Sequence, residues 1–404
     1  MDLYVARQPV LDTDKKTVAY ELLFRDSFKN AFPNVDGEYA TTKVLLNTFF
    51  SMGIPDITNN KPAFINFTKE LVLNKIPLVF PPKKLVIEIL ENIEPEPEII
   101  EAVKFFRAKN YKIAMDDFIY EKKFNNLLKF TNIIKLDLLQ TPIDSLQTTI
   151  NKIKKINPDI TLLAEKVETY GEFEKAKEMG FQLFQGYFYS KPEIISNKDI
   201  SSYKISILNI VTESQKEELD MPILVDLIKK DPAISYRLLK FINSAYFQRP
   251  FPIDSIKDGV TFMGTDEIKK FINLVAALII AEDKPKELIK ISIIRARMCE
   301  LIGKKLLKTE FTSDELFTIG MFSLIDAMLN KPMDEILKTM GFSKKFENGL
   351  LGKNKTINII FQMIECCETG NFIKCKNIEK KSKAIYNKLF DFYFDAVKMA
   401  DSLM

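Results

Sequence analysis

The chain contains no histidine. That absence excludes Ser-His-Asp and Cys-His catalysis, HExxH zinc sites and the His-Asp metal phosphohydrolases. Any metal here must be held by oxygen ligands, which suits Mg²⁺, Mn²⁺ or Ca²⁺. Cysteine is scarce as well. Cys299, Cys366, Cys367 and Cys375 form no CxxC pair, and adjacent Cys366 and Cys367 are poorly placed to bond each other. The simplest expectation is a reduced, cytoplasmic protein. There is no GxGxxG turn and no P-loop Gly-Lys, so Rossmann-type dinucleotide binding and P-loop nucleotide binding have no support. Long hydrophobic runs are missing too. The longest lies at Phe271–Ala281 and is interrupted by Asn273. It is far shorter than the ~20 residues of a spanning helix and reads as a buried helix. The N-terminal MDLYVARQPVLDTDKK lacks the apolar core of a signal peptide. A net charge of +3 over 404 residues gives no general attraction for a nucleic-acid polymer or an anionic membrane surface.

What is present falls into two halves. Apolar residues make up 46% and charged residues 28%, a globular composition, and the length suggests two domains. The first half alternates short apolar or β-branched runs with helical patterns. The runs are TVAYELLF (17–24), PAFINF (62–67), KLVIEIL (84–90), KIAMDDF (112–118), IIKLD (133–137), TLLAEKV (161–167) and LFQGYFY (183–189). Between them, PEIIEAVKFFRAKN puts Ile99, Ile100, Val103 and Phe106 on one helical face, and GEFEKAKEMG closes on Gly180. Repeated strand-then-helix units predict a parallel sheet with helices outside it, a (β/α)8-type barrel with a doubly wound sheet as the competitor. From about Ser201 the apolar spacing becomes helical throughout, with breaks at Asp231-Pro232, Pro250-Phe251-Pro252, Gly264 and Asp283-Lys284-Pro285. That half reads as all-helical. The hand-over is expected in the polar, Pro192-containing segment 190–201, dividing the chain into 1–197 and 198–404.

Barrel enzymes place their chemistry at the C-terminal ends of the strands, and polar residues recur there. They are Glu21, Asn66, Glu88, Asp116 with Asp117, Lys135 with Asp137, Glu165 with Glu168, and Gln185. Each alone has an ordinary explanation: a turn, a cap, or a lysine reaching for solvent. Together they are harder to dismiss, because acids inside apolar strands cost several kcal/mol, roughly, if buried and unpaired. A pair of divalent cations would compensate them and explain the adjacent aspartates.

These residues resemble the EAL family of cyclic-di-GMP phosphodiesterases. The name-giving signature stands as Glu21-Leu22-Leu23-Phe24-Arg25, and the other motifs follow in order: Asn66, Glu88, Asp116-Asp117, Lys135-Leu136-Asp137, Glu165-Lys166-Val167-Glu168, and Gln185-Gly186 with Pro192. The resemblance implies a TIM-like (EAL) α/β barrel. Its metal ligands would be Glu21, Asn66, Glu88, Asp116 and Asp117, with Glu168 supporting the metals, which would be Mg²⁺ or Mn²⁺. Glu165 would be the base and Lys135 would position the attacking water. Arg25 would hold a phosphate of cyclic-di-GMP, with Gln185 beside the bound nucleotide. One departure stands out. Where active members carry Phe-Gly and a small-residue loop after the paired Asp, this chain has Phe118-Ile119-Tyr120-Glu121-Lys122-Lys123. A β-branched residue does not readily take the angles open to glycine. In the family that loop couples dimerisation to metal placement, so a homodimer is among the implied partners.

The second half resembles the HDOD domain, a helical relative of the HD phosphohydrolases that lacks their metal-binding residues. Met221-Pro222, Asp231-Pro232, Leu238-Leu239, Asn243-Ser244-Ala245-Tyr246-Phe247, Ile253, Ser255-Ile256 and Gly264 carry that likeness. It implies an interaction module with a signalling partner, and Asn243-Ser244 reads as a helix-end cap. Barrel and helical half in this order resemble the EAL-HDOD bacterial signalling proteins. Three functions follow as expectations, in this order: a barrel that binds nucleotide or partner with little or no turnover, an active phosphodiesterase, and a pure interaction scaffold.

Overall fold

In a computed structural model the described residues are 4–25, 57–140, 143–191, 202–215, 253–306, 309–340, 342–370 and 388–404. Single positions between 221 and 243 and residue 385 complete the set. Pro192, Asp231-Pro232, Pro250-Phe251-Pro252, Ser244–Phe247 and Cys375, all singled out above, lie outside the described residues. The chain divides into two compact units. One is Met1–Tyr189 with Glu368–Ile373; the other is Ser190–Cys367 with Lys374–Met404.

The first unit is a closed eight-stranded barrel in sequential strand order. Its strands are β1 (Tyr4–Asp12), β2 (Thr17–Arg25), β3 (Ala63–Phe67), β4 (Leu85–Ile89), β5 (Lys112–Met115), β6 (Ile133–Asp137), β7 (Thr161–Glu165) and β8 (Leu183–Phe184). Helices α1 (Lys69–Leu73), α2 (Pro97–Ala108), α3 (Asn125–Leu128), α4 (Ile143–Ile156) and α5 (Tyr170–Glu178) connect them. α2 starts on Pro97 and buries Ile99, Val103 and Phe106. α5 opens with a capping box: Thr169 accepts from the Glu172 N–H while the Glu172 carboxylate accepts from the Thr169 N–H. β2 through β8 pair in parallel.

β1 was not among the strands expected from sequence, and it is antiparallel to both neighbours. Pro9 masks it, because proline cannot donate to a ladder and demotes a run. It is tolerated because β8 pairs only with Leu11 and Asp12, which leaves the backbone at Pro9 with no ladder on that side. The run at 183–189 is also shorter than its pattern suggests: β8 ends at Phe184 and a 3-10 turn occupies Phe188–Ser190.

The second unit is helical throughout its described residues. Its helices are α6 (Ser202–Ser214), α7 (Ile256–Ile280), α8 (Lys286–Gly303), α9 (Ser313–Met321), α10 (Ile325–Leu329), α11 (Met333–Met340), α12 (Lys344–Leu350), α13 (Lys355–Thr369) and α14 (Leu389–Leu403). α8 is the central helix, packed against α9 and α14, and α6 packs on α7. Gly264 kinks α7 with φ 70 and ψ 177, a backbone conformation that glycine adopts without steric cost. The run from Phe271 is the buried end of α7. No helix among the described residues is long and apolar enough to cross a membrane. Glu300, 1% exposed, receives Lys270 Nζ, Lys304 Nζ and Arg297 Nη1, each at 2.8 Å. Arg297 Nε also reaches Asp395 Oδ2 at 2.6 Å. This clamp ties α7, α8 and α14. The thiol expectation needs one correction. Cys299 and Cys367 are buried thiols, but Cys366 is disulfide-bonded. The spacing argument excluded only a bond to its sequence neighbour.

Candidate active site

The barrel interior is built in two storeys. The lower is apolar and takes one residue from each strand: Val10, Ala19, Phe64, Val86, Ala114, Ile133, Leu163 and Leu183. Side chains two apart on a strand share a face. One step of two from each floor residue gives Gln8 on antiparallel β1, then Glu21, Asn66, Glu88, Asp116, Lys135, Glu165 and Gln185. The polar ring is therefore the next layer on an apolar floor, at the C-terminal ends of the parallel strands.

Lys135 is its centre. The lysine is 1% exposed. Its Nζ lies 2.6 Å from Asp116 Oδ1, 2.7 Å from Glu88 Oε1, 2.9 Å from Glu165 Oε1 and 3.3 Å from Glu21 Oε2. Gln185 Nε2 donates to Glu21 Oε2 at 2.6 Å and to Gln8 Oε1 at 2.8 Å. Burial pushes Glu88 well above the usual carboxylate range despite the opposing Lys135 charge. Burial, reinforced by Asp116 and Glu21, raises Glu165 to about 8 against the pull of Lys135. Burial alone would lower Lys135, but Glu165, Glu21, Glu88 and Asp116 outweigh it and hold the ammonium well above its ordinary pKa.

Asp116 and Asp117 separate in role. Asp116 continues the alternation from Ala114. Asp117 takes a left-handed φ of 40, which a short polar side chain tolerates better than most. Its pKa is raised by burial and then by Asp116. Ile119 does not have a positive φ among the described residues and its side chain is 63% exposed. The steric objection to isoleucine there does not arise, because the left-handed residue is Asp117. A cavity of about 220 Å³ opens beside the pair, lined in part by Asp116, Asp117, Ile119, Glu91 and Lys123.

Glu168 is exposed in the turn before α5, where its N–H donates to Glu172 Oε2 at 2.8 Å. Arg25 ends β2, but its side chain lies outside the described residues. Two contributors were missed in the sequence. Gln8 was hidden because β1 was not read as a strand. Lys166, left-handed at φ 54, pairs with the buried Asp137, whose Oδ1 also accepts from the Leu139 N–H at 2.7 Å. Gly186, at φ 147, lets the exit of β8 lie against the Val167 backbone: a Cβ there would meet Val167 O at 2.1 Å.

A divalent metal fits the chemistry of this ring. Both Glu88 oxygens, Asn66 Oδ1, Glu165 Oε2 and Gln185 Oε1 are buried without a hydrogen-bond partner, although Glu88 Oε1 is charge-paired with Lys135. Unsatisfied hard oxygens call for a cation. Four of the ring's carboxyl groups face Lys135 Nζ.

Comparison with known proteins settles the lineage. The EAL domain model matches residues 50–192 and the HDOD domain model matches 201–341. The "Uncharacterized protein YuxH" of Bacillus subtilis (strain 168) is 34% identical over 412 residues, covering 100% of this chain and 99% of its own. The chain belongs to the EAL-HDOD family. A further relative covers most of both domains. The "Cyclic di-GMP phosphodiesterase CdgJ" of Vibrio cholerae is 32% identical over 372 residues, spanning 91% of this chain and 85% of that protein. Among solved structures, the Bacillus subtilis YkuI protein, with an EAL domain, in complex with substrate c-di-GMP and calcium, is similar at 18% identity. It covers 64% of this chain and 72% of its own, with a TM-score of 0.39. In the HDOD domain, Asn243 braces backbone rather than chemistry: Nδ2 donates to Ile253 O and Oδ1 accepts from the Ile253 N–H, each at 2.9 Å.

Proposed function

We propose that the EAL barrel binds cyclic-di-GMP and, loaded with Mg²⁺ or Mn²⁺, hydrolyses it to the linear dinucleotide, with the HDOD domain relaying the state of the barrel to a signalling partner. The observation that carries this reading is the unbroken polar ring on its apolar floor, with five buried oxygens left without hydrogen bonds. Glu21, Asn66, Glu88, Asp116 and Asp117 would hold the cations. Such cations lower the pKa of bound water and offset charge on a phosphodiester. Glu165, raised to about 8 by burial in the ring without a cation, would act as the proton acceptor once bound cations favour its ionised form. Lys135 presents the cation of the ring to a phosphoryl oxygen or the attacking water. Arg25 would hold a phosphate.

A second reading, binding without turnover, is favoured by the bulky, charged loop from Ile119 to Lys123 and by the position of Lys135 Nζ at the focus of four carboxylates. One experiment separates the two. Purified full-length protein is incubated with cyclic-di-GMP and Mg²⁺ or Mn²⁺. Calorimetry reads binding and chromatography reads the linear product, with Asp116→Asn as control. Metal-dependent product that the control loses supports the first reading. Binding without product establishes the second, and absence of binding under all conditions removes both.

A further inference from the structure

We propose that Lys135 is the resident counter-ion of the metal-free barrel. Its ammonium holds the converging carboxylates together when no divalent cation is bound, and yields that role when one arrives. The proposal rests on the reading that the ring accepts divalent cations, and it adds a function for the lysine that is separate from turnover.

The geometry makes the case. Glu21, Glu88, Asp116 and Glu165 come from four different strands or their ends, and Lys135 from a fifth. The ammonium is the one group among the described residues that contacts all four, at 2.6 to 3.3 Å. An ammonium has three donors and cannot satisfy four carboxylates. What it leaves over is visible as Glu88 Oε2 and Glu165 Oε2, buried without hydrogen bonds, with Asn66 Oδ1 and Gln185 Oε1 in the same condition. A single positive charge among four carboxyl groups compensates them only in part. Removing it leaves the carboxyl groups crowded together with no counter-charge, at strand ends that share it as their anchor. A divalent cation brings more charge and more coordination positions than the lysine, so it takes over the same task. The wild-type barrel therefore has two compensated states, one held by its own lysine and one by metal. A barrel lacking the lysine would have only the second.

The test is calorimetric melting of the full chain. Lys135→Met preserves the apolar stem and removes the charge. In EDTA its melting temperature is expected to fall on the order of 10 °C below wild type. Saturating Mn²⁺ or Mg²⁺ should raise the variant more than the wild type and close at least half of that gap. A double variant, Lys135→Met with Asp116→Asn, removes the carboxylate nearest the ammonium together with the positive charge. It should recover stability in EDTA, which a purely packing role of the lysine would not produce. It also keeps the proposal testable should the single variant fail to fold. Equal melting of wild type and Lys135→Met in EDTA overturns the proposal, as does a double variant no more stable than the single one. Metal that binds the wild type by calorimetry yet leaves the gap unchanged overturns the exchange of roles alone. Metal that does not bind the wild type overturns it through the metal reading beneath.

Discussion

The most exacting consequence of the ring concerns Glu165 and pH. Its folded-state pKa stands at about 8, raised from 4.5 chiefly by burial. In the unfolded chain the carboxyl loses its proton near 4.5, while in the barrel it keeps it to about 8. Over that window the folded state binds the extra proton, so stability falls as pH rises. A gap of about 3.5 pH units, at about 1.4 kcal/mol per unit, gives about 5 kcal/mol in all. Roughly 3 kcal/mol of it lies between about pH 5.5 and about pH 8. Glu165→Gln keeps the shape of the protonated acid and cannot ionise. Wild type and variant should therefore be similar near about pH 5 and diverge upward, with the wild type the weaker. The assay is native-state hydrogen exchange by mass spectrometry in the presence of a chelator, read on peptides covering β6 and β7. Comparing the two proteins at each pH cancels the intrinsic exchange rate. Glu88, also raised by burial, contributes a slope that both proteins share. Protection profiles that run parallel across that range would refute the reasoning, because they would mean that Glu165 is already ionised in the metal-free barrel.

Three further outcomes follow from single contacts. Gly186→Ala drives a Cβ into the Val167 carbonyl at 2.1 Å, at a φ of 147; a loss of about 3 kcal/mol is expected, seen as lost exchange protection at β8, and an unchanged profile would contradict the close approach of the two strand exits. Glu300→Gln leaves Lys270, Arg297 and Lys304 around a neutral amide and should cost on the order of 3–5 kcal/mol near neutral pH in urea unfolding. Glu300 is depressed to about 2 by those cations against its burial, so its stabilisation is complete above its ordinary value of 4.5 and is lost as pH falls toward 2; the variant should lack that acid-side slope. Asp137→Ala removes the acceptor of the Leu139 and Gln140 N–H groups and the partner of Lys166; about 1–3 kcal/mol is expected, with faster exchange at residues 138–140 as the readout.

The barrel was legible because parallel strands buried on both faces stand out as apolar runs, and because an acid inside such a run is costly enough to be noticed. Glu88 in VIEI and Lys135 in IIKLD are the clearest cases: both are essentially unexposed. Other parts were hidden by local chemistry that competes with periodicity. Pro9 concealed β1, and with it Gln8. The aromatic YFY of residues 187–189 suggested a longer β8, where burial of Phe188 and Tyr189 is met by a 3-10 turn instead. The backbone angle at Asp117 has no sequence signature, since aspartate tolerates the left-handed region without requiring it. Reading the demand for a special φ at Ile119, two residues along, followed from placing the loop by analogy rather than by the turn itself.

The step of two from floor to ring explains why the site could be read at all and why one residue resisted. Each polar residue sits at a fixed distance along its strand from an apolar one: Glu21 from Ala19, Asn66 from Phe64, Glu88 from Val86, Asp116 from Ala114, Lys135 from Ile133, Glu165 from Leu163, Gln185 from Leu183. A sequence reader who finds the floor finds the ring with no further information. Glu168 breaks that rule. It stands five residues past Leu163, beyond the end of β7 and in the exposed turn before α5. An odd step reverses the face on a strand, and past the strand the period no longer applies. Cation binding by Glu168 would therefore depend on the turn between Lys166 and Thr169, which Gly186 holds against the exit of β8 through Val167. If Glu168 supports a bound cation, Gly186→Ala should weaken metal binding by calorimetry as well as stability, whereas Glu300→Gln in the helical unit should leave metal binding unchanged.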